Sequence, residues 1–329
     1  MVGAENLALS LYNATLEGSA FFSHPDSGCL RISDSDRQDF LQRQTTNDVL
    51  ALNPEHAVLT VMVSPTARIL DILTLIEEDD EILALTLPGH TAATLQYLQK
   101  HIFFMDKVQL TDASPDISCI DLEGKQISST LQHLGFPQTP GINEVFLTKF
   151  NNFALKAVGQ RGLVGMGARL IVLAGRVQEL KSFLLDTGTI QLSPLVYDIL
   201  RVEAGLPSAG AELTEEYSPL EIGLREAVSD SKGCYPGQEV IARQITYDKI
   251  TRHLVGLLLD APLEPKTRLL ADSAPAGEIT SVVMSPRFGS IALGVVKRPY
   301  HEIGTILDVQ NEGQIQGARA KVTDLPFRK

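Results

Sequence analysis

Residues 231–239 read Ser-Lys-Gly-Cys-Tyr-Pro-Gly-Gln-Glu and run on into Val240-Ile241-Ala242-Arg243. The cysteine follows a glycine and stands two residues after a lysine. Glycines here permit a tight backbone with exposed amides, and a nearby cation favours thiolate over thiol. Arg243 is a second cation in the same stretch. A thiolate so placed can attack, be oxidised reversibly or accept a soft metal. The stretch reads equally well as a turn around a small buried cysteine, because free cysteine is among the most buried residue types. It contains no histidine to serve as base, and the nearest in sequence is His253.

Toward the C-terminus the pattern changes to short strands separated by turn residues: His253 to Leu259, Arg268 to Leu270, Gly277 to Met284, Ser290 to Val296, Ile306 to Val309 and Ala318 to Val322. Several short strands at near-regular spacing predict a small antiparallel barrel. A boundary is expected near residue 250, dividing the chain into 1–250 and 251–329. At 329 residues the chain is about twice a typical domain and holds both.

Toward the N-terminus, Ser33 to Gln44 reads as a capped helix with Phe40, Leu41 and Gln44 on neighbouring turns, and Gln44-Thr45-Thr46-Asn47-Asp48 breaks it. Val58 to Val63 and Ile69 to Ile76 predict two strands joined by the turn Ser64-Pro65-Thr66-Ala67, and Ile82 to Leu87 a third. Thr91 to His101 carries helical spacing. The acidic run Glu77 to Glu81 reads as a solvated hairpin tip rather than a metal site. From Phe146 to Val172 strand-like runs surround Gly159, Gly162, Gly165 and Gly167, with helices expected over Arg176 to Leu185 and Pro194 to Gly205. The glycine-rich stretch lacks the Lys-Ser/Thr of a P-loop and the spacing of a dinucleotide fingerprint.

The composition, 44% hydrophobic and 21% charged, is that of an ordinary globular chain. A net charge of −12 argues against nucleic acid as a general partner, because such binding rests on Lys and Arg contacts to phosphate. A local basic pocket for a small anion remains open. Cys29, Cys119 and Cys234 form no CxxC pair, which suggests neither a zinc site nor a disulfide framework. No segment approaches the ~18 uninterrupted apolar residues of a membrane span. A cytoplasmic protein, or an organellar one without its leader, with no membrane partner is expected.

The string Lys-Gly-Cys-Tyr-Pro-Gly-Gln-Glu at 232–239 resembles the signature of the YgfZ-type folate-binding proteins, relatives of the glycine cleavage T-protein (aminomethyltransferase). Other segments resemble the same superfamily in the same order: Phe40-Leu41-Gln42 through Thr45-Thr46-Asn47-Asp48-Val49, Arg201-Val202-Glu203-Ala204-Gly205-Leu206-Pro207, Ser218-Pro219-Leu220-Glu221, and Gly277 to Val296 near the end. The resemblance implies an α+β chain, a clover-leaf of α/β subdomains around a central cavity followed by an antiparallel β-barrel, with tetrahydrofolate as ligand. The T-protein pattern places a catalytic aspartate in a strand, and Asp71 in Arg68-Ile69-Leu70-Asp71-Ile72 matches it. A carboxylate inside an apolar strand needs a partner or a ligand amine, which makes Asp71 a candidate general base or folate contact. Two T-protein positions differ: Tyr197 stands where that family has an arginine, and Met166 and Arg169 stand where it has glutamates for the pterin. An arginine there would present donors to the N–H donors of the ring.

The YgfZ resemblance implies a tetrahydrofolate-binding protein that supports iron-sulfur cluster assembly or repair, acting on iron-sulfur proteins or their assembly factors. In this reading Cys234 is the reactive thiol, Lys232 biases it toward thiolate, and Gly233, Tyr235, Gly237, Gln238 and Glu239 complete the signature loop. Arg201, Arg225 and Arg243 are expected to pair with the folate carboxylates, with Asp71, Tyr235, Gln238 and Glu239 as further folate contacts. No resident metal is expected, since three scattered cysteines supply no cluster motif. The alternative is a folate-dependent one-carbon transferase of the aminomethyltransferase kind, with Asp71 positioning the attacking amine. A third reading is a thiol-based redox protein or scaffold that no longer binds folate.

Overall fold

Apolar side chains on both faces of a strand require a layer on each side, and the first part of the chain meets that requirement with two sheets back to back. The computed structural model describes residues 2–24, 26–311 and 314–328, and divides into two compact units. The first takes Met1–Ser193 with Glu226–Gln238, the second Pro194–Arg225 with Glu239–Lys329.

In the first unit the order is α1 (Val2–Glu17), β1 (Ala20–Phe22), β2 (Gly28–Ser33), α2 (Arg37–Gln44), β3 (Val58–Val63), β4 (Ile69–Glu78), β5 (Glu81–Thr86), α3 (Thr91–Lys100), β6 (Gln109–Asp112), β7 (Ile117–Glu123), α4 (Ile127–His133), β8 (Val145–Phe150), β9 (Phe153–Gly162), β10 (Gly165–Leu173), α5 (Val177–Asp186) and β11 (Ile190–Gln191). One sheet has the order β3-β4-β5-β2-β6, the other β11-β1-β7-β10-β9-β8. The outer face of the first buries Leu30, Met62, Leu73 and Leu75 against Phe40 and Leu41 of α2 and Leu98 of α3. The outer face of the second buries Ile120, Leu122, Leu155 and Leu170 against α4 and α5. Between the sheets lie Cys29, Ile76, Leu83, Leu85, Ile117, Cys119, Val158 and Ile171. Each fully buried Leu or Ile adds roughly 1.5–3 kcal/mol.

The strands expected at 58–63, 69–76 and 82–87 and the helices expected near 91, 176 and 194 are present. The 33–44 helix starts at Arg37, and its N-cap residue Asp36 makes no side-chain cap bond. Its carboxylate accepts instead from Ser35 Oγ and Lys107 N. The acidic run is the β4–β5 hairpin tip, where Glu78 pairs with Glu81.

The second unit holds α6 (Pro194–Ala204), α7 (Gln238–Thr246) and six strands, β12 (Arg252–Leu259), β13 (Arg268–Ala271), β14 (Ala274–Ser285), β15 (Gly289–Lys297), β16 (Ile306–Asn311) and β17 (Gln314–Thr323). They close into a barrel of order β12-β15-β14-β13-β16-β17, antiparallel at every pairing, so no sheet edge is left open. Val255, Leu257, Ile279, Leu307, Val309, Ala320 and Val322 fill it from alternating positions. The chain thus has the mixed α/β fold with a closed antiparallel barrel that its sequence predicts. Among the described residues no helix is long and apolar enough to cross a membrane.

Candidate functional site

In the first unit the segment 226–238 lies on the turn that ends α2. Thr46 Oγ1 donates to Ala227 O (2.6 Å), Ser229 N donates to Thr46 O (3.0 Å), and Asn47 Nδ2 donates to Leu59 O (2.8 Å) and Glu226 O (3.0 Å). Lys232 completes the junction: its ammonium donates to Thr45 O (2.7 Å) and Asn47 O (2.6 Å) and stands 5.3 Å from the ring centroid of Tyr235. Burial lowers its pKa to about 8, partly offset by Asp48. The bonds of this ammonium therefore run inward to backbone carbonyls, not toward the thiol of Cys234, which is exposed. Gly237 seats the loop on the β3–β4 turn; its φ is +75° and a Cβ there would come 2.7 Å from Ser64 O. Gln238 Nε2 donates to Lys232 O (3.3 Å), and Tyr235 is buried.

Asp71 is fully buried on β4. Its cross-strand partner is Met62, and Leu73 and Leu75 follow on the same side, the one packed on α2 and α3. The carboxyl accepts from Ile72 N (2.8 Å) and Leu87 N (3.0 Å) through Oδ1 and from Thr94 Oγ1 (2.5 Å) through Oδ2. The partner that the sequence demanded for it is thus supplied from within the unit. Burial raises its pKa, opposed by these three donors and by His90.

A third group is not among the residues that the sequence reading singles out as a site. On the inward face of β7, Asp121 accepts both arms of Arg169 (Nε 2.7 Å, Nη2 2.8 Å) and lies 2.9 Å from His24 Nε2. Two residues on, Glu123 accepts from Leu163 N (2.7 Å). The glycines of the β9–β10 hairpin make room for this carboxyl: a Cβ on Gly162 would come 2.5 Å from Glu123 Oε2. Burial and the charge of Asp121 push the Glu123 carboxyl up to about 8, whereas Arg169 and His24 hold Asp121 far below the ordinary carboxylate range. The signal in the sequence was an acid-x-acid pair, Asp121 and Glu123, inside an apolar strand.

In the second unit, Arg201 is buried and its donors are committed: Nε to Asp198 (2.6 Å), Nη2 to Ser281 Oγ (2.9 Å), and Nη1 3.6 Å from Glu212, which also accepts from Ser281 (2.6 Å). It ties α6 to β14. Glu239 and Arg243 form an exposed i,i+4 pair on α7 (2.5 Å), and Arg225 is exposed in a short turn. Among the described residues no group of three or more His, Cys, Asp or Glu could hold a metal ion.

The sequence profile of the glycine cleavage T-protein C-terminal barrel domain matches residues 252–329. An Arabidopsis thaliana protein provisionally named a chloroplastic transferase is 32% identical over 306 residues, 91% of this chain and 69% of that protein. The chain belongs to the glycine cleavage T-protein (aminomethyltransferase) family. The aminomethyltransferase of Oceanobacillus iheyensis is 28% identical over 97% of this chain and 89% of its own length. The fold is that of the glycine cleavage system aminomethyltransferase T of Bartonella henselae, with a TM-score of 0.84 over 98% of this chain and 89% of that one, at 20% identity. In this chain Arg169 faces a carboxylate from the neighbouring strand, which takes up its Nε and Nη2 donors.

Proposed function

We propose that this chain is a folate-dependent one-carbon transferase of the aminomethyltransferase type, delivering the methylene carbon of an aminomethyl donor to tetrahydrofolate. The observation that carries this reading is the end-to-end correspondence with aminomethyltransferases, which takes in both units. The residues fit the ligand. A pterin offers adjacent N–H donors and calls for a carboxylate. Glu123, beside the glycine hairpin, supplies one on the strand next to Arg169, and Asp121 neutralises the arginine that would otherwise repel the ring edge. Asp71, turned toward Thr94, acts as a positioning residue that fixes β4 on α3.

The test is anaerobic calorimetry with tetrahydrofolate, alongside an assay for methylenetetrahydrofolate formed from an aminomethyl donor. Micromolar binding, about −8 kcal/mol, weakened in Glu123→Gln, is expected. No binding at millimolar ligand would sink the reading. Unchanged transfer in Asp71→Asn would remove that residue from the site.

A second reading is favoured by the exposed Cys234 on its anchored signature loop: a tetrahydrofolate-binding protein that supports iron-sulfur cluster assembly or repair. Full methylene transfer by Cys234→Ala would favour the transferase. Tetrahydrofolate binding with no transfer, together with loss of cluster-repair support in the same variant, would favour the second.

A further inference from the structure

The acidic β4–β5 tip forms one wall of a groove of about 800 Å³ in the first unit. Glu77, Glu78 and Asp79 stand on that wall, Pro54, Glu55 and Glu144 on another, and Val145, Phe146, Leu147 and Ala154 supply an apolar floor. Five carboxylates face a single lysine, Lys156, which pairs with Glu78. The floor is the edge of the six-stranded sheet, because β8 is the terminal strand and pairs only with β9.

The backbone of that edge is directional. Val145 N donates outward to Glu55 O, across the side of β8 away from β9. Antiparallel ladders alternate, so Leu147 and Lys149 also turn their N–H and C=O outward, while Phe146 and Thr148 bond to β9. The segment around Glu55 covers the strand only at its beginning. Leu147 is 64% exposed. An uncovered edge strand with an apolar side chain is a template for another strand, a liability that proteins ordinarily blunt with charge or proline. Here the edge strand carries one exposed lysine, Lys149, and the carboxylates stand on the facing walls, where they select a partner rather than merely excluding one.

We propose that this groove binds an extended peptide segment in which basic and apolar residues alternate, added to β8 as a further strand. Backbone bonds to Leu147 and Lys149 give the affinity. The Lys or Arg side chains, on the face of Leu147 and Lys156, reach Glu55, Glu77 and Asp79, and the apolar side chains, on the opposite face, lie beside Phe146. Recognition by backbone and charge tolerates sequence variation, so a generic probe is sufficient.

The experiment uses the full chain and an acetylated, amidated peptide of about nine residues alternating lysine and valine, with glutamate in place of lysine as the control. Expected are saturable binding by the lysine peptide alone, weakening at least about tenfold from low to physiological salt, and new hydrogen-exchange protection at the Leu147 and Lys149 amides. Leu147→Pro removes an outward donor at an edge position where proline is tolerated, and should abolish the protection while the barrel and the far strands keep theirs. Glu77→Lys with Asp79→Lys, both at the hairpin tip, should abolish binding by charge. No binding, or binding without protection at Leu147 and Lys149, would overturn the proposal. Concentration-dependent self-association that disappears in Phe104→Asp and in the Glu77→Lys, Asp79→Lys protein would also overturn it, assigning the groove to the 98%-exposed Phe104 of a second copy.

Discussion

Asp121 and Glu123 share one face of β7, two residues apart, and their environments drive their carboxyls in opposite directions. Arg169 and His24 hold Asp121 ionised, and that fixed charge together with burial keeps a proton on Glu123 up to about pH 8. Two like groups thereby acquire two different uses, a permanent anion and a titratable acid near neutrality.

The raised Glu123 pKa has a definite sign in stability. The unfolded carboxyl ionises near its ordinary 4.5 and the folded one near 8, so stability is fully present below 4.5 and is lost as pH rises through 8. In Glu123→Gln the melting temperature should fall less steeply between pH 5 and 8 than in the parent. Parallel curves would show that Glu123 is ionised in the folded protein throughout that range.

Folate binding should carry the opposite pH dependence. A protonated Glu123 must lose its proton to accept two pterin N–H groups, so tetrahydrofolate affinity should rise with pH to about 8 and then level off. Calorimetry in buffers of different ionisation enthalpy would register the proton released on binding. A flat pH profile would place the pterin elsewhere.

Arg201 should prove to be a cross-link and not a ligand contact. Arg201→Ala leaves the fully buried Glu212 without its cation and Ser281 without a donor, at a cost of about 3 kcal/mol. Tetrahydrofolate affinity measured below the lowered melting point should stay at the parent value. A large loss of affinity in a protein of unchanged stability would restore Arg201 to the folate site.

Gly237 and Gly233 flank Cys234 on either side and should respond differently to alanine. Position 237 combines φ +75° with a Cβ contact of 2.7 Å to the Ser64 carbonyl, and Gly237→Ala should cost about 2 kcal/mol or more. Around Gly233 nothing lies within 4 Å of a Cβ, and Gly233→Ala should be close to neutral. Chemical denaturation of both variants, with the rate of Cys234 alkylation as a local reporter, checks the pair.

Removing the Lys232 ammonium leaves two carbonyls of the α2 turn without their donor, so Lys232→Met should destabilise by about 1–3 kcal/mol. The change should concentrate in the segment 226–238, seen as faster proteolysis there. The sign in pH is upward: the folded pKa of about 8 lies below the ordinary 10.5, so the parent gains stability from pH 8 to 10.5 and the variant does not.

Local pattern alone determined a good part of this protein. The short runs at near-regular spacing after Thr251, separated by turn residues, specified the barrel strands. The strong apolar runs at 58–63 and 69–76 specified β3 and β4 because a strand buried on both faces is apolar at nearly every position. The signature at 232–239 marked the loop that holds Lys232, Gly237 and Cys234. Short or mixed strands such as β1, β6 and β11 carry too few residues for a period to register, and α7 begins inside a stretch that reads as loop.

Only the tertiary structure decided which way the polar groups turn. Lys232 looks in sequence like a neighbour of Cys234, yet its ammonium is drawn to Thr45 O and Asn47 O, residues that are 187 and 185 positions away. Arg201 carries an ordinary helical sequence position, and its donors are claimed by a barrel strand. Glu123, Asp121 and Arg169 are brought together only because β7 and β10 pair in one register, setting Asp121 opposite Arg169. Hydrophobic periodicity is a local property and is written in consecutive residues. The partner of a buried charge is fixed by desolvation, which requires the nearest available donor or acceptor in space, and that proximity exists only once the strands have paired.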